Sequence, residues 1–158
     1  MQDIRPTNIL SLVTDKRSLS EINTSSISEH RVIEFADITA PKEGYVLAQV
    51  NHIQSILDFT RSWDQTSPLI IHCFAGVSRS PAAAFIATCD LMPAYSESQL
   101  AQELRQQSPC ATPNIHLVQL ADDILNRNGR MVDAIRSIGR GADAFEGEVF
   151  CFPVRSSC

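Results

Sequence analysis

Short apolar runs alternate along the chain with longer stretches of helical periodicity. Asn8–Val13 is apolar and β-leaning and predicts a strand. Asp15–Glu29 is polar and serine-rich and predicts turns with a short helix. Arg31–Ala36 predicts a second strand, followed by a loop that begins at Asp37. Tyr45–Arg61 places Val46, Val50, Ile53 and Leu57 at helical spacing and predicts an amphipathic helix. Leu69–His72 is short and apolar, as in strands buried in parallel sheets. Pro81–Met92 is apolar nearly all round, so its helix is expected to be central and buried. Ser96-Glu97-Ser98-Gln99 resembles a capping box for a helix over Glu97–Gln107. Pro113-Asn114 opens another helix to about Asn126, Gly129 breaks it, and Arg130–Ile138 reads as helical. This alternation predicts an α/β fold, a central mostly parallel sheet flanked by helices.

The 158 residues fit one domain, with a core over about 31–139. The tail, 140–158, changes character: glycines lead into strand-like residues over Glu148–Val154. It reads equally as an edge strand, a partner-binding arm or a poorly ordered end. A hydrophobic fraction of 44% and a charged fraction of 20% are those of a globular protein. The net charge is −5 and the lysines are two, Lys16 and Lys42, which argues against a nucleic-acid or anionic-membrane surface. The N-terminus lacks a basic-then-apolar signal pattern, and no apolar run approaches membrane-spanning length. Five cysteines without metal-like spacing predict a reducing, cytoplasmic setting. Nothing in the sequence selects one of Cys89, Cys110, Cys151 and Cys158 as a reversible disulfide partner that protects Cys73, and packing or exposure without a role is the expectation for them. His30, His52 and His116 are isolated and show no ligand spacing, so neither metal nor cofactor is expected.

The chemistry concentrates in His72-Cys73-Phe74-Ala75-Gly76-Val77-Ser78-Arg79-Ser80, between the apolar strand and the buried helix. A free thiol titrates at about 8.5, and a helix N-terminus with a nearby cation lowers that to about 3.5–7.5. Both influences are expected at Cys73, with the helix starting at Ser80 or Pro81 and Arg79 beside it. Phe74, Ala75, Gly76, Val77, Ser78 and Arg79 can curl so that backbone N–H groups converge on an anion. Gly76 gives that curl a residue tolerant of positive φ, and the planar fork of Arg79 can grip two phosphate oxygens. Ser80-Pro81 reads as an N-cap with proline at the first helical position. It also reads as a hydroxyl aimed at the Cys73 sulfur, and the two readings are compatible. His72, adjacent to Cys73 in a strand, is expected to face away from it and to order the loop as a buried histidine.

Residues 72–80 resemble the signature of the cysteine-dependent protein tyrosine phosphatases, His-Cys, five residues, Arg, Ser or Thr. Ala75-Gly76-Val77-Ser78-Arg79-Ser80 is most similar to the dual-specificity branch. The likeness extends over about residues 31–125. It implies a phosphate monoester hydrolase with Cys73 as nucleophile, Arg79 binding phosphate, Ser80 easing departure of the sulfur, and an upstream aspartate as general acid. Among Glu34, Asp37, Glu43, Asp58 and Asp64, Asp37 best fits that pattern, because it opens a loop directly after a strand with one helix before Cys73. An Asx-turn at a strand end is the structural alternative for Asp37. The reaction implied has two steps through a phosphocysteine and needs no metal, since arginine and backbone amides carry the charge. The loop lacks the lysines frequent in inositol-phosphate enzymes, which favours a phosphorylated protein or a small aryl phosphate ester. The alternative is a phosphate-binding module, a pseudophosphatase without turnover. Rhodanese-type or arsenate-reducing chemistry, which also uses a cysteine in an anion loop, stands behind both.

Overall fold

The computed structural model describes residues 5–19, 25–152 and 154. Strands β1 (Asn8–Val13), β2 (Glu29–Glu34) and β3 (Leu69–His72) form a parallel sheet in the order β2-β1-β3. Helix α1 (Val50–Ser62) makes the crossover from β2 to β3. Helices α2 (Arg79–Leu91), α3 (Glu97–Gln107), α4 (Ile115–Ile124) and α5 (Arg130–Ser137) follow. The architecture is therefore α/β with an all-parallel sheet. β1 is central and buried along its whole length, which is why apolar side chains lie on both of its faces, with Asn8 and Ser11 its two polar residues. Its Ser11 pairs in register with Val32 on one side and His72 on the other.

One cluster of buried side chains joins the sheet to all five helices, with Phe35, Phe59 and Phe85 among the largest fully enclosed. α2 is buried on nearly every face, as its composition predicts. The buried Asp122 carboxylate accepts the N–H groups of Gly129 (2.7 Å), Met131 (2.8 Å) and Val132 (3.3 Å), and so satisfies the start of α5. Among the described residues no helix is long and apolar enough to cross a membrane.

Several boundaries differ from the sequence expectation. β2 starts and ends two residues early, because its pairing with β1 begins at Glu29 while Ala36 N–H turns away to Val46 O (2.8 Å). α1 begins at Val50 rather than Tyr45. Gln49 and His52 cap its first turn reciprocally, with Gln49 N–H on His52 Nδ1 at 2.8 Å, and Tyr45 and Val46 are left exposed in the preceding loop. α4 stops at Ile124, before a left-handed Asn126. The tail forms no strand among the described residues. It runs as an irregular segment against the rest of the fold, with Phe150 and Phe152 packed on the core and Phe145 and Val149 exposed.

Candidate active site

The carboxyl ends of all three strands open toward one place, where ligands bind in sheets of this kind. β1 leads to Thr14, β2 to Phe35 and Asp37, and β3 to Cys73. The Cys73 thiol donates to Ser80 Oγ at 3.2 Å, and its sulfur accepts the Ser80 N–H at 3.4 Å. Once the thiol loses its proton the hydroxyl can rotate and donate instead, so both Ser80 groups would hold the thiolate.

The expected helix start is corrected by two residues. Ser78, not Ser80, is the N-cap residue, and Arg79 is the first helical residue. Ser80 and Pro81 fall in the first turn, where proline's missing N–H has no intrahelical acceptor to lose. The Ser78 hydroxyl makes no cap bond; it donates to Asp37 Oδ1 at 2.7 Å.

Gly76 has φ +71°, the left-handed conformation the curl requires. Loop carbonyls are held from outside. Ala75 O accepts Gly147 N–H (2.7 Å), Val77 O accepts Thr112 N–H (2.8 Å), and Ser78 O accepts Ala82 N–H (3.1 Å) and Asn114 N–H (3.3 Å). No cis peptide occurs among the described residues, and in a trans peptide the N–H points opposite to the C=O. The amides of Gly76, Ser78 and Arg79 therefore point away from these partners. Phe74 is 86% exposed at the loop's edge.

Arg79 is buried although it is a cation. Its Nη1 donates to Phe35 O (2.9 Å) and Thr14 Oγ1 (3.2 Å), while its buried Nε has no partner among the described residues. Leaving a buried donor unpaired costs about 1–3 kcal/mol, more on a charged group. A guanidinium fixed at one end with a donor unpaired suits an anionic acceptor.

Asp37 makes no Asx-turn; it is tied across the fold. Besides Ser78, its Oδ1 accepts Asn114 Nδ2–H at 2.8 Å. Asn114 also donates to Ile38 O (3.1 Å), and its own oxygen caps α4 at His116 and Leu117. An open groove of about 660 Å³ runs beside Asp37, lined by Ile38, Pro41, Lys42, Pro113 and Ile115 among others. Cys73, Arg79, Ser80 and Asp37 are thus gathered on and around one loop. Sequence reasoning missed Thr14, Thr112 and Asn114. Asn114 was legible only as a helix start, since its bond to Asp37 spans 77 residues.

His72 is half-buried rather than buried, and its main partner is a side chain. Nε2 lies 2.5 Å from Ser11 Oγ, which is also 2.8 Å from His30 Nε2. Burial lowers the His72 pKa, a hydrogen bond with the Cys73 backbone opposes that, and nearby His30 adds to the lowering. A largely neutral imidazole bridging the central strand to the Cys73 backbone is a support for the loop.

Cys73, Cys89 and Cys110 are free thiols, Cys151 is disulfide-bonded, and Cys158 lies outside the described residues. Burial pushes the Cys89 thiol up from an ordinary 9.0 to about 12. The folded state then holds this proton more tightly than the unfolded chain. Its stabilising contribution is whole below pH 9.0 and is lost as pH rises toward about 12. The thermal midpoint is expected to fall over that window, and to fall less steeply in Cys89→Ala. Parallel curves for the two proteins would contradict this.

Compared with models of known protein families and with curated proteins, the chain matches none.

Proposed function

We propose that this chain is a phosphate monoester hydrolase of the cysteine-dependent protein tyrosine phosphatase type, nearest the dual-specificity branch in fold and chemistry. The observation that carries the reading is the Cys73 sulfur against Ser80 N–H and Oγ, next in the chain to the unpaired Nε of buried Arg79, with Asp37 docked on the same loop. The substrate class that fits is a phosphorylated protein or a small aryl phosphate ester. The reaction needs Cys73 as a free thiol, which a reducing, cytoplasmic compartment would maintain; the disulfide at Cys151 departs from the reducing setting that the sequence predicts.

In the first step the Cys73 thiolate forms an S–P bond in line with the leaving oxygen. The P–O ester bond breaks, its electron pair stays on oxygen, and Asp37 supplies the proton. Two donors occupy Oδ1 of Asp37, which leaves Oδ2 to carry that proton. Arg79 and the amides of the loop stabilise the non-bridging oxygens as charge shifts. In the second step water attacks phosphorus while Asp37 accepts its proton, and the S–P pair returns to Cys73. The Ser80 hydroxyl donates to the departing thiolate, which lowers the cost of expelling it.

Asp37→Asn preserves the shape and an acceptor for Ser78 and Asn114 but cannot deliver a proton. It is expected to lower kcat on an aryl phosphate by about 10²–10⁴-fold, with a smaller loss on an ester whose leaving group needs no proton. A pH profile of kcat for both proteins checks this. Unchanged turnover at every pH would remove Asp37 from the mechanism. Phosphate binding without any wild-type turnover would favour a binding module.

A further inference from the structure

A loop that turns its amides toward an anion must turn its carbonyls outward, and each outward carbonyl needs a donor. Water can serve, but it leaves the peptide free to rotate. Here Ala75 O, on the peptide whose N–H belongs to left-handed Gly76, is held at 2.7 Å by Gly147 N–H, from the far end of the chain. The fit there admits no side chain. A Cβ on Gly147 would stand 2.7 Å from Gly76 O, 3.2 Å from Gly76 C and 3.4 Å from Ala75 O. All three are backbone atoms, so none can swing aside.

The segment bearing Gly147 is anchored on both sides. Upstream, Gly141 N–H donates to Thr112 Oγ1 (3.0 Å) and Ala142 N–H to Pro109 O (3.0 Å). Arg105 ties the same two stretches together, donating to Pro109 O (3.0 Å) and Ala111 O (2.8 Å) and to Gly139 O (2.8 Å). Downstream, Phe150 and Phe152 pack on the core. Gly147 is therefore presented to the loop by a fixed strap.

We propose that residues 139–152 clamp the anion-binding loop, with Gly147 as a positioning residue that fixes the Ala75–Gly76 peptide for phosphate. The proposal rests on the reading of residues 73–79 as a phosphate loop. It assigns the tail a part in ground-state binding of the phosphoryl group, whether or not the ester is then hydrolysed.

The test uses the full chain and inorganic phosphate. Gly147→Ala should weaken phosphate binding by about three- to tenfold, the worth of one net hydrogen bond. KM on an aryl phosphate should rise in step with it and kcat should change less. Tyr95→Ala, at an exposed side chain in the turn between α2 and α3, should match the wild type. Lower thermal stability in Gly147→Ala with unchanged phosphate affinity would mean a merely structural contact and overturn the proposal. Should Gly147→Ala not fold, amide exchange on the wild type decides: phosphate should slow exchange at Gly147, and a rate indifferent to phosphate overturns the clamp. Phosphate bound by the wild type and weakened in Gly147→Ala, with no turnover in either, would leave the clamp standing and remove the hydrolase. No wild-type phosphate binding would remove both.

Discussion

Arg79→Lys is expected to lower kcat/KM on an aryl phosphate by about 10²–10³-fold, the usual loss when a preorganised donor is taken from a developing anion. The guanidinium does two jobs at once. Nη1 is spent on Phe35 O and Thr14 Oγ1, at 2.9 and 3.2 Å, and this fixes the plane of the fork. The remaining donors, beginning with the unpaired Nε, are then presented without further reorganisation. A lysine has one ammonium for both tasks. Turned to Phe35 O it abandons the phosphate; turned to the phosphate it leaves that carbonyl unpaired. The charge is conserved, so a small effect would show that charge alone matters here. Measuring kcat/KM together with phosphate affinity separates the outcomes, and a loss below about tenfold would contradict the account.

The larger effect is expected at Cys73. Serine in its place keeps the loop, Arg79 and the neighbouring Ser80 N–H, so phosphate should still bind. What disappears is the sulfur nucleophile. A serine hydroxyl needs a base to remove its proton: His72 is engaged with Ser11, and Asp37 enters the first step as the acid for the leaving oxygen, so it cannot serve as that base as well. Turnover in Cys73→Ser should therefore fall by at least about 10⁴-fold, as when covalent enzymes lose their nucleophile. Retained binding with lost turnover also separates this outcome from misfolding.

How far the fold was legible depended on whether a signal was local. β1 was readable because a central buried strand is mostly apolar, β3 from its run Leu69-Ile70-Ile71, although as an edge strand it is half-buried rather than buried as expected, and α3 because Ser96 and Gln99 cap it reciprocally. The start of β2 was not, since Glu29 and His30 enter the ladder through backbone pairing with Asn8 and Ile9 rather than through any apolar pattern. Tyr45 and Val46 carried a helical period into a segment that the Gln49–His52 cap excludes from α1. In the site, the spacing of Cys73, Gly76, Arg79 and Ser80 was local and therefore visible. The ties that organise it were not: Asp37 to Asn114, Arg79 to Phe35 and Gly147 to Ala75 each join residues far apart in the chain. The Ser78–Ser80 confusion belongs to the same class, because either serine can cap a helix locally and only Asp37 decides which hydroxyl is spent elsewhere.

The central claim is that Cys73 attacks phosphorus. The most direct measurement compares hydrolysis of a chromogenic aryl phosphate by the wild type and by Cys73→Ser, both in the presence of a chelator, with phosphate affinity recorded on the same samples. The account predicts turnover in the wild type, none detectable in Cys73→Ser, and phosphate bound by both. Turnover that survives in Cys73→Ser, or wild-type activity that the chelator abolishes, would contradict it.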